Sequence, residues 1–130
     1  MQEVIFSDHA PQPVGPYSQA IAIPLSPTPK LYFLSGQIPL DPQSGKVTAQ
    51  GIVAQTEQVF ANIQAVLNAA GLSFANVVKT TVFLVDMADF PAMNQVYAQY
   101  FPTLPPARSC VQVARLPLDV LVEIECVAIA

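Results

Sequence analysis

Val120-Leu121-Val122-Glu123-Ile124-Glu125-Cys126-Val127-Ala128-Ile129, followed only by Ala130, alternates with a period of two residues. Val120, Val122, Ile124, Cys126 and Ala128 form one small, apolar face, and Leu121, Glu123, Glu125, Val127 and Ile129 form the other. Successive side chains of a strand point to opposite sides, so this strand meets two different environments. The first face suits helix packing. The second mixes carboxylates with large aliphatics, too apolar for water and too charged for a lone subunit's core, and predicts a surface shared between subunits.

The segment before it follows the same period. Over Arg108 to Ala114, Ser109, Val111 and Val113 share one face, while Arg108, Cys110 and Gln112 share the other. Here too the apolar face suits helices, and the arginine joins the carboxylates on the mixed side. Further upstream, Val4-Ile5-Phe6, Tyr17 to Ile23 and Leu31 to Ser35 read as three leading strands. The Pro-rich stretch Pro24 to Lys30 separates the last two, and Asp41 to Lys46 carries turn chemistry. A helix is predicted from about Ala49 to Ala70, because Val53, Thr56, Phe60, Ile63 and Leu67 recur at helical spacing. Gln55 and Asn62 fall outside that stripe, and Gly71 supplies the stop. Val77 to Val85 is β-branched and reads as a strand. Asp89 is the expected N-cap of a second helix, with Pro91 in its first turn. Three strands, helix, strand, helix and two strands predict one α+β domain over residues 1–130, with both helices on one face of a mixed sheet.

Composition narrows the function classes. The chain has 130 residues, 52% of them hydrophobic and only 11% charged, less than half the usual charged fraction. So little charge on a soluble domain again predicts an oligomer. Apolar runs are all interrupted well short of a bilayer span, and Met1-Gln2-Glu3 lacks a signal-peptide start, so a cytoplasmic, membrane-free protein is expected. The net charge of −4 and the scatter of Lys30, Lys46, Lys79, Arg108 and Arg115 argue against a nucleic-acid partner. Cys110, Cys126 and the single His9 are too few for a metal site or a Cys-His mechanism.

Pro106-Ala107-Arg108-Ser109-Cys110-Val111, with Glu123-Ile124-Glu125 downstream, is where chemistry concentrates. A guanidinium in apolar surroundings needs an anion. That anion is either Glu123 or Glu125, in a structural ion pair at a subunit contact, or the carboxylate of a small ligand held in two parallel hydrogen bonds. A carboxylate in the same cleft gains basicity by desolvation and becomes available for proton transfer near neutrality. Glu123 and Glu125 share a face, so spacing does not choose between them. Cys110 reads as a small buried hydrophobe, lacking a histidine to make thiolate.

At these residues the chain resembles the Rid family, and within it the RidA-type reactive intermediate deaminases (older name YjgF). The likeness runs through Gly15-Pro16-Tyr17-Ser18-Gln19, Ser35-Gly36-Gln37-Ile38-Pro39, Val78-Lys79-Thr80-Thr81-Val82-Phe83 and Asn94-Gln95-Val96-Tyr97. It continues from Pro106 to Pro117 and ends at Val122-Glu123-Ile124-Glu125. Such a resemblance implies a chorismate-mutase-like subunit with a six-stranded sheet, and a homotrimer with clefts between neighbours. It implies cofactor-free hydrolysis of 2-imino acids and their enamine tautomers, such as 2-aminoacrylate and 2-iminobutanoate, to 2-oxo acids and ammonia. By the matching motifs, Arg108 would bind the substrate carboxylate and Glu123 would position and activate water. The Cys110 backbone would contact the substrate, Tyr17, Ser35 and Asn94 would complete the pocket, and Gly36 would let the chain pass close to the ligand. A non-catalytic trimer binding small carboxylates is the alternative.

Overall fold

In the computed structural model, which describes residues 2–130, one six-stranded sheet carries two helices. The strands are β1 (Glu3–Ile5), β2 (Ala20–Pro24), β3 (Lys30–Gln37), β4 (Val77–Leu84), β5 (Ala107–Gln112) and β6 (Val122–Ile129). The helices are α1 (Gly51–Ala69), between β3 and β4, and α2 (Phe90–Tyr100), between β4 and β5. Spatial order is β1-β2-β3-β6-β4-β5, with β4 and β5 parallel and every other pair antiparallel. Parallel neighbours require a crossover, and α2 supplies it. The last strand, β6, slots between β3 and β4 and so sits mid-sheet, while β5 is an edge.

The helix-facing side of the sheet is the core. Ala22, Val82, Val122, Ile124 and Ala128 are fully buried against Phe60, Ile63 and Leu67 of α1. Phe60 also stacks on Tyr100 at 4.3 Å between ring centroids and meets Tyr97 edge-on at 5.6 Å. These aromatic contacts lock α2 onto α1. The other side of the sheet, with Phe33 and Val111 well exposed beside Glu123, Glu125, Val127 and Ile129, has no helix over it.

Several local expectations are corrected. Strand β2 starts at Ala20, not Tyr17, because Gln19 is turned inward: it accepts from Ser7 N–H at 2.6 Å and donates to the carbonyls of Ser7 and Pro11. Gln55 and Asn62 are buried and Val53 is exposed, the reverse of the apolar-stripe reading. Asn62 donates to the Ile38 and Leu40 carbonyls, and Gln55 accepts from Leu121 N–H. Amides satisfy loop backbone that valine would leave unpaired. Asp89 makes no side-chain cap; Asp86 instead accepts from Ala88 N–H at 2.8 Å and opens a short 3-10 turn before α2.

The largest correction concerns faces. Arg108 pairs across β4 with Thr80, and Thr80 pairs with Cys126 of β6. Glu123 pairs instead with Phe83, and Glu125 with Thr81. Residues opposite one another share a side, so Arg108 and Cys110 project with the helices and both glutamates project to the open side. Within each strand the two-residue alternation holds. Which parity faces the helices is set by register between strands, and no single strand carries that information.

Candidate functional site at two cavities on opposite sheet faces

Arg108 sits on the edge strand β5 beneath α2. Its Nη1 donates to Asn94 Oδ1 at 2.7 Å. The guanidinium lies 4.6 Å from the Tyr97 ring centroid and 5.3 Å from that of Phe90. All three partners are neutral. The nearest cavity, about 490 Å³, is walled by Asn94, Tyr97, Ala98, Phe101, Pro105, Pro106 and Arg108. Among the described residues no ion pair involves Arg108; the two that form there are Lys30–Glu3 and Arg115–Asp119, both at the surface. Among the described residues of one chain neither Glu123 nor Glu125 pairs with Arg108, so an ion pair between them could form only across a subunit contact. A guanidinium has five N–H donors, and Asn94 takes one.

The backbone beside it is also available. Val113 N–H donates to the Leu84 carbonyl at 2.8 Å. In a parallel pair, alternate residues turn both backbone groups to the neighbour, so those of Arg108 and Cys110 face away from β4 at the free sheet edge. The Cys110 thiol is pushed up by burial, with Arg108 pulling the other way. A thiol in that state is a poor nucleophile.

Glu123 lines a separate cavity of about 290 Å³ with Val14, Tyr17, Ser35, Gly36, Ile38 and Pro117. Its carboxyl is raised above the ordinary range by burial first and by Glu125 second. A bulge explains how it fits. Leu34 pairs with Cys126 but Gln37 with Ile124, so β3 spends one extra residue around Ser35 and Gly36 while keeping Leu34 and Gln37 buried. A Cβ on Gly36 would collide with Glu123 Oε1 and come within 3.0 Å of its Cδ. The glycine thus makes room for the carboxylate itself. Ser35 Oγ donates to the Ser18 carbonyl at 2.6 Å and its N–H to the Gln19 carbonyl at 2.9 Å, pinning the turn that presents Tyr17. The Tyr17 hydroxyl accepts weakly from Val14 N–H at 3.4 Å and its ring is exposed.

The sequence-predicted residues therefore fall into two groups: Arg108, Asn94 and Cys110 on one side, and Glu123, Tyr17, Ser35 and Gly36 on the other. Phe90, Tyr97 and Thr80 were not singled out in sequence; the signal available was the spacing of Asn94 and Tyr97, which places both on one stretch of α2. Gly36→Ala is expected to displace the Glu123 carboxylate while leaving the Arg108 side intact. A displaced Glu123 carboxylate beside an unmoved Arg108–Asn94 contact is the expected pattern, read from a crystal structure of the variant. An unmoved carboxylate would show that Gly36 is not what makes its room.

Residues 7–130 match the family model described as Endoribonuclease L-PSP. A RutC family protein of Pyrococcus horikoshii is 52% identical over 128 residues, spanning 98% of this chain and 98% of the relative. The chloroplastic Reactive Intermediate Deaminase A of Arabidopsis thaliana is 47% identical over 127 residues, spanning 98% of this chain and 65% of that longer protein. Among solved structures, Escherichia coli TdcF with bound serine superposes with a TM-score of 0.88 at 41% identity, covering 98% of each chain.

Proposed function

Since this chain belongs to the Endoribonuclease L-PSP family, which is the YjgF or Rid family, we propose that it hydrolyses 2-imino acids and their enamine tautomers to 2-oxo acids and ammonia. The observation that carries this reading is Arg108: a fixed cation with only neutral partners, opening on a cavity at a sheet edge. Such a group wants an anion from outside its own chain, and a flat fork of N–H donors fits a carboxylate. The deaminase named among the relatives and the serine held by TdcF agree with a small carboxylate-bearing ligand.

Arg108, steadied by Asn94, receives the carboxylate, and the outward backbone of Cys110 lines the same edge. Glu123, made more basic by its setting, takes a proton from water as the oxygen adds to the imine carbon. The nitrogen gains a proton and leaves as ammonia when the carbinolamine collapses to the 2-oxo acid. An enamine first takes a proton at its terminal carbon and releases one from its nitrogen to become the imine. The imine carbon is already electrophilic, so orientation and one proton relay supply what the addition needs. Tyr17 and Ser35 shape the Glu123 side.

Arg108 and Glu123 project from opposite faces of one sheet, so a complete site takes Arg108 from one protomer and Glu123 from its neighbour. The open sheet face, with its exposed Phe33 and Val111, is the surface on which copies would meet, in a homotrimer. The scattered cations and net charge of −4 give no positive track for RNA.

The test is the rate of loss of 2-aminoacrylate, generated in situ by a serine dehydratase, with and without this protein. Arg108→Ala and Glu123→Gln variants, each inactive, should regain activity when unfolded and refolded together, since about a quarter of clefts in randomly mixed oligomers are intact. Binding of 2-oxobutanoate without faster imine loss would favour the non-catalytic module. Activity that is lost in each variant and not restored by mixing would place both residues in one protomer's site.

A further inference from the structure

The guanidinium of Arg108 is held in its plane by more than the Asn94 bond. The Tyr97 ring lies under it at 4.6 Å, close enough for a cation–π contact. Tyr97 is almost wholly buried, and its hydroxyl and that of Thr80 lie 2.7 Å apart in a buried hydrogen bond. Thr80 is also the residue directly across β4 from Arg108. These three residues close a circuit: strand pairing sets Thr80 beside Arg108, Thr80 fixes the Tyr97 hydroxyl, and the Tyr97 ring carries the Arg108 side chain. Thr80 is itself 1% exposed, so its hydroxyl has no solvent to turn to.

We propose that Tyr97, anchored by Thr80, is a positioning residue that fixes the plane of the Arg108 guanidinium and so aims its free donors at the substrate carboxylate. This rests on the deaminase reading for its substrate, though not for its geometry. A bidentate contact needs the fork and the carboxylate to be coplanar. A side chain with arginine's rotamer freedom loses entropy on being held there. Tyr97 and Asn94 sit one turn apart on α2, the first with its ring 4.6 Å from the guanidinium carbon and the second accepting from Nη1 at 2.7 Å. That cost is then met on folding, before substrate arrives. Burial raises the Tyr97 phenol, with the Thr80 bond and then Arg108 opposing, so the ring stays neutral beside the guanidinium.

The experiment uses 15N-arginine-labelled protein, in which Arg108 and Arg115 are the only arginines, assigned by Arg108→Lys. In the wild type, the Arg108 Nη resonances should be split by slow rotation and shifted by the ring current. In Tyr97→Leu they should collapse. The same variant should raise KM for 2-aminoacrylate and Kd for 2-oxobutanoate together, by about threefold to tenfold, with kcat changed much less. Tyr97→Phe and Thr80→Val remove the same hydrogen bond and should each give a smaller rise, with the double variant no worse than either alone. Variants that melt earlier yet keep wild-type Kd, KM and Arg108 resonances would reduce Tyr97 to a core residue and overturn the proposal. If the wild type turns over no imine but its Arg108 resonances and 2-oxobutanoate binding still respond to Tyr97, the deaminase reading falls and the positioning role stands.

Discussion

Arg108→Ala is expected to weaken substrate or 2-oxo acid binding by about 2–5 kcal/mol, the range for truncating one member of a hydrogen-bonded charge pair. That corresponds to about thirtyfold to several thousandfold in Kd or kcat/KM. Stability should change far less than binding. Removing Arg108 strands no buried charge, because the side chain pairs only with the amide of Asn94 and the faces of Tyr97 and Phe90. A stability loss near 1 kcal/mol is expected from those contacts. Arg108→Lys would keep the charge but lose the fork, and should recover only part of the affinity. Calorimetric titration with 2-oxobutanoate, beside a thermal melt, separates the two effects. An alanine variant with wild-type deaminase activity would remove Arg108 from the mechanism.

Glu123→Gln carries the second large effect, in opposite directions for activity and stability. Loss of a general base typically costs about 10²- to 10⁴-fold in rate, and glutamine keeps the shape without the basicity. For stability, the folded carboxyl ionises above its unfolded value, through burial and then the neighbouring Glu125. Between those two values the folded state keeps a proton that the unfolded state has released. Stability contributed by this group is therefore full below the ordinary carboxylate range and is lost as pH rises through the folded value. Glutamine has no charge to desolvate. The variant should be more stable than the wild type at about pH 8, with the gap closing towards about pH 4. Urea midpoints at both ends of that range check this. Equal midpoints throughout would mean that the Glu123 site carries no burial penalty. The wild-type rate should likewise rise with pH through a midpoint above the usual carboxylate range, and the variant should lose that limb.

The sequence announced most of the framework through local signals. Gly71 stops α1 in the left-handed region, with Leu72 N–H returning to the Leu67 carbonyl at 2.8 Å. The prolines after Tyr100 end α2, and the alternation of Val122 to Ile129 gives a strand buried on one side and uncovered on the other. The burial of Gln55 and Asn62 is invisible to a hydrophobicity period, which scores amides as surface residues. Asn62 reaches backbone groups 22 and 24 residues away and Gln55 one 66 residues away, pairings that no local window contains.

The sequence by itself determined which residues could be charged in dry places, which segments would be helix or strand, and that one sheet face would lack a cover inside the chain. Those properties follow from side-chain type and period, which are local. Only the tertiary structure decided that Arg108 and Glu123 stand on opposite faces, that the space beside Gly36 belongs to the Glu123 carboxylate, and that Tyr97 and Thr80 hold the guanidinium. Each of these depends on the register of β4 against β5 and β6 and on the bulge in β3. Because side chains alternate with a period of two, a shift of one residue in any of those pairings would exchange the faces and leave the sequence pattern unchanged.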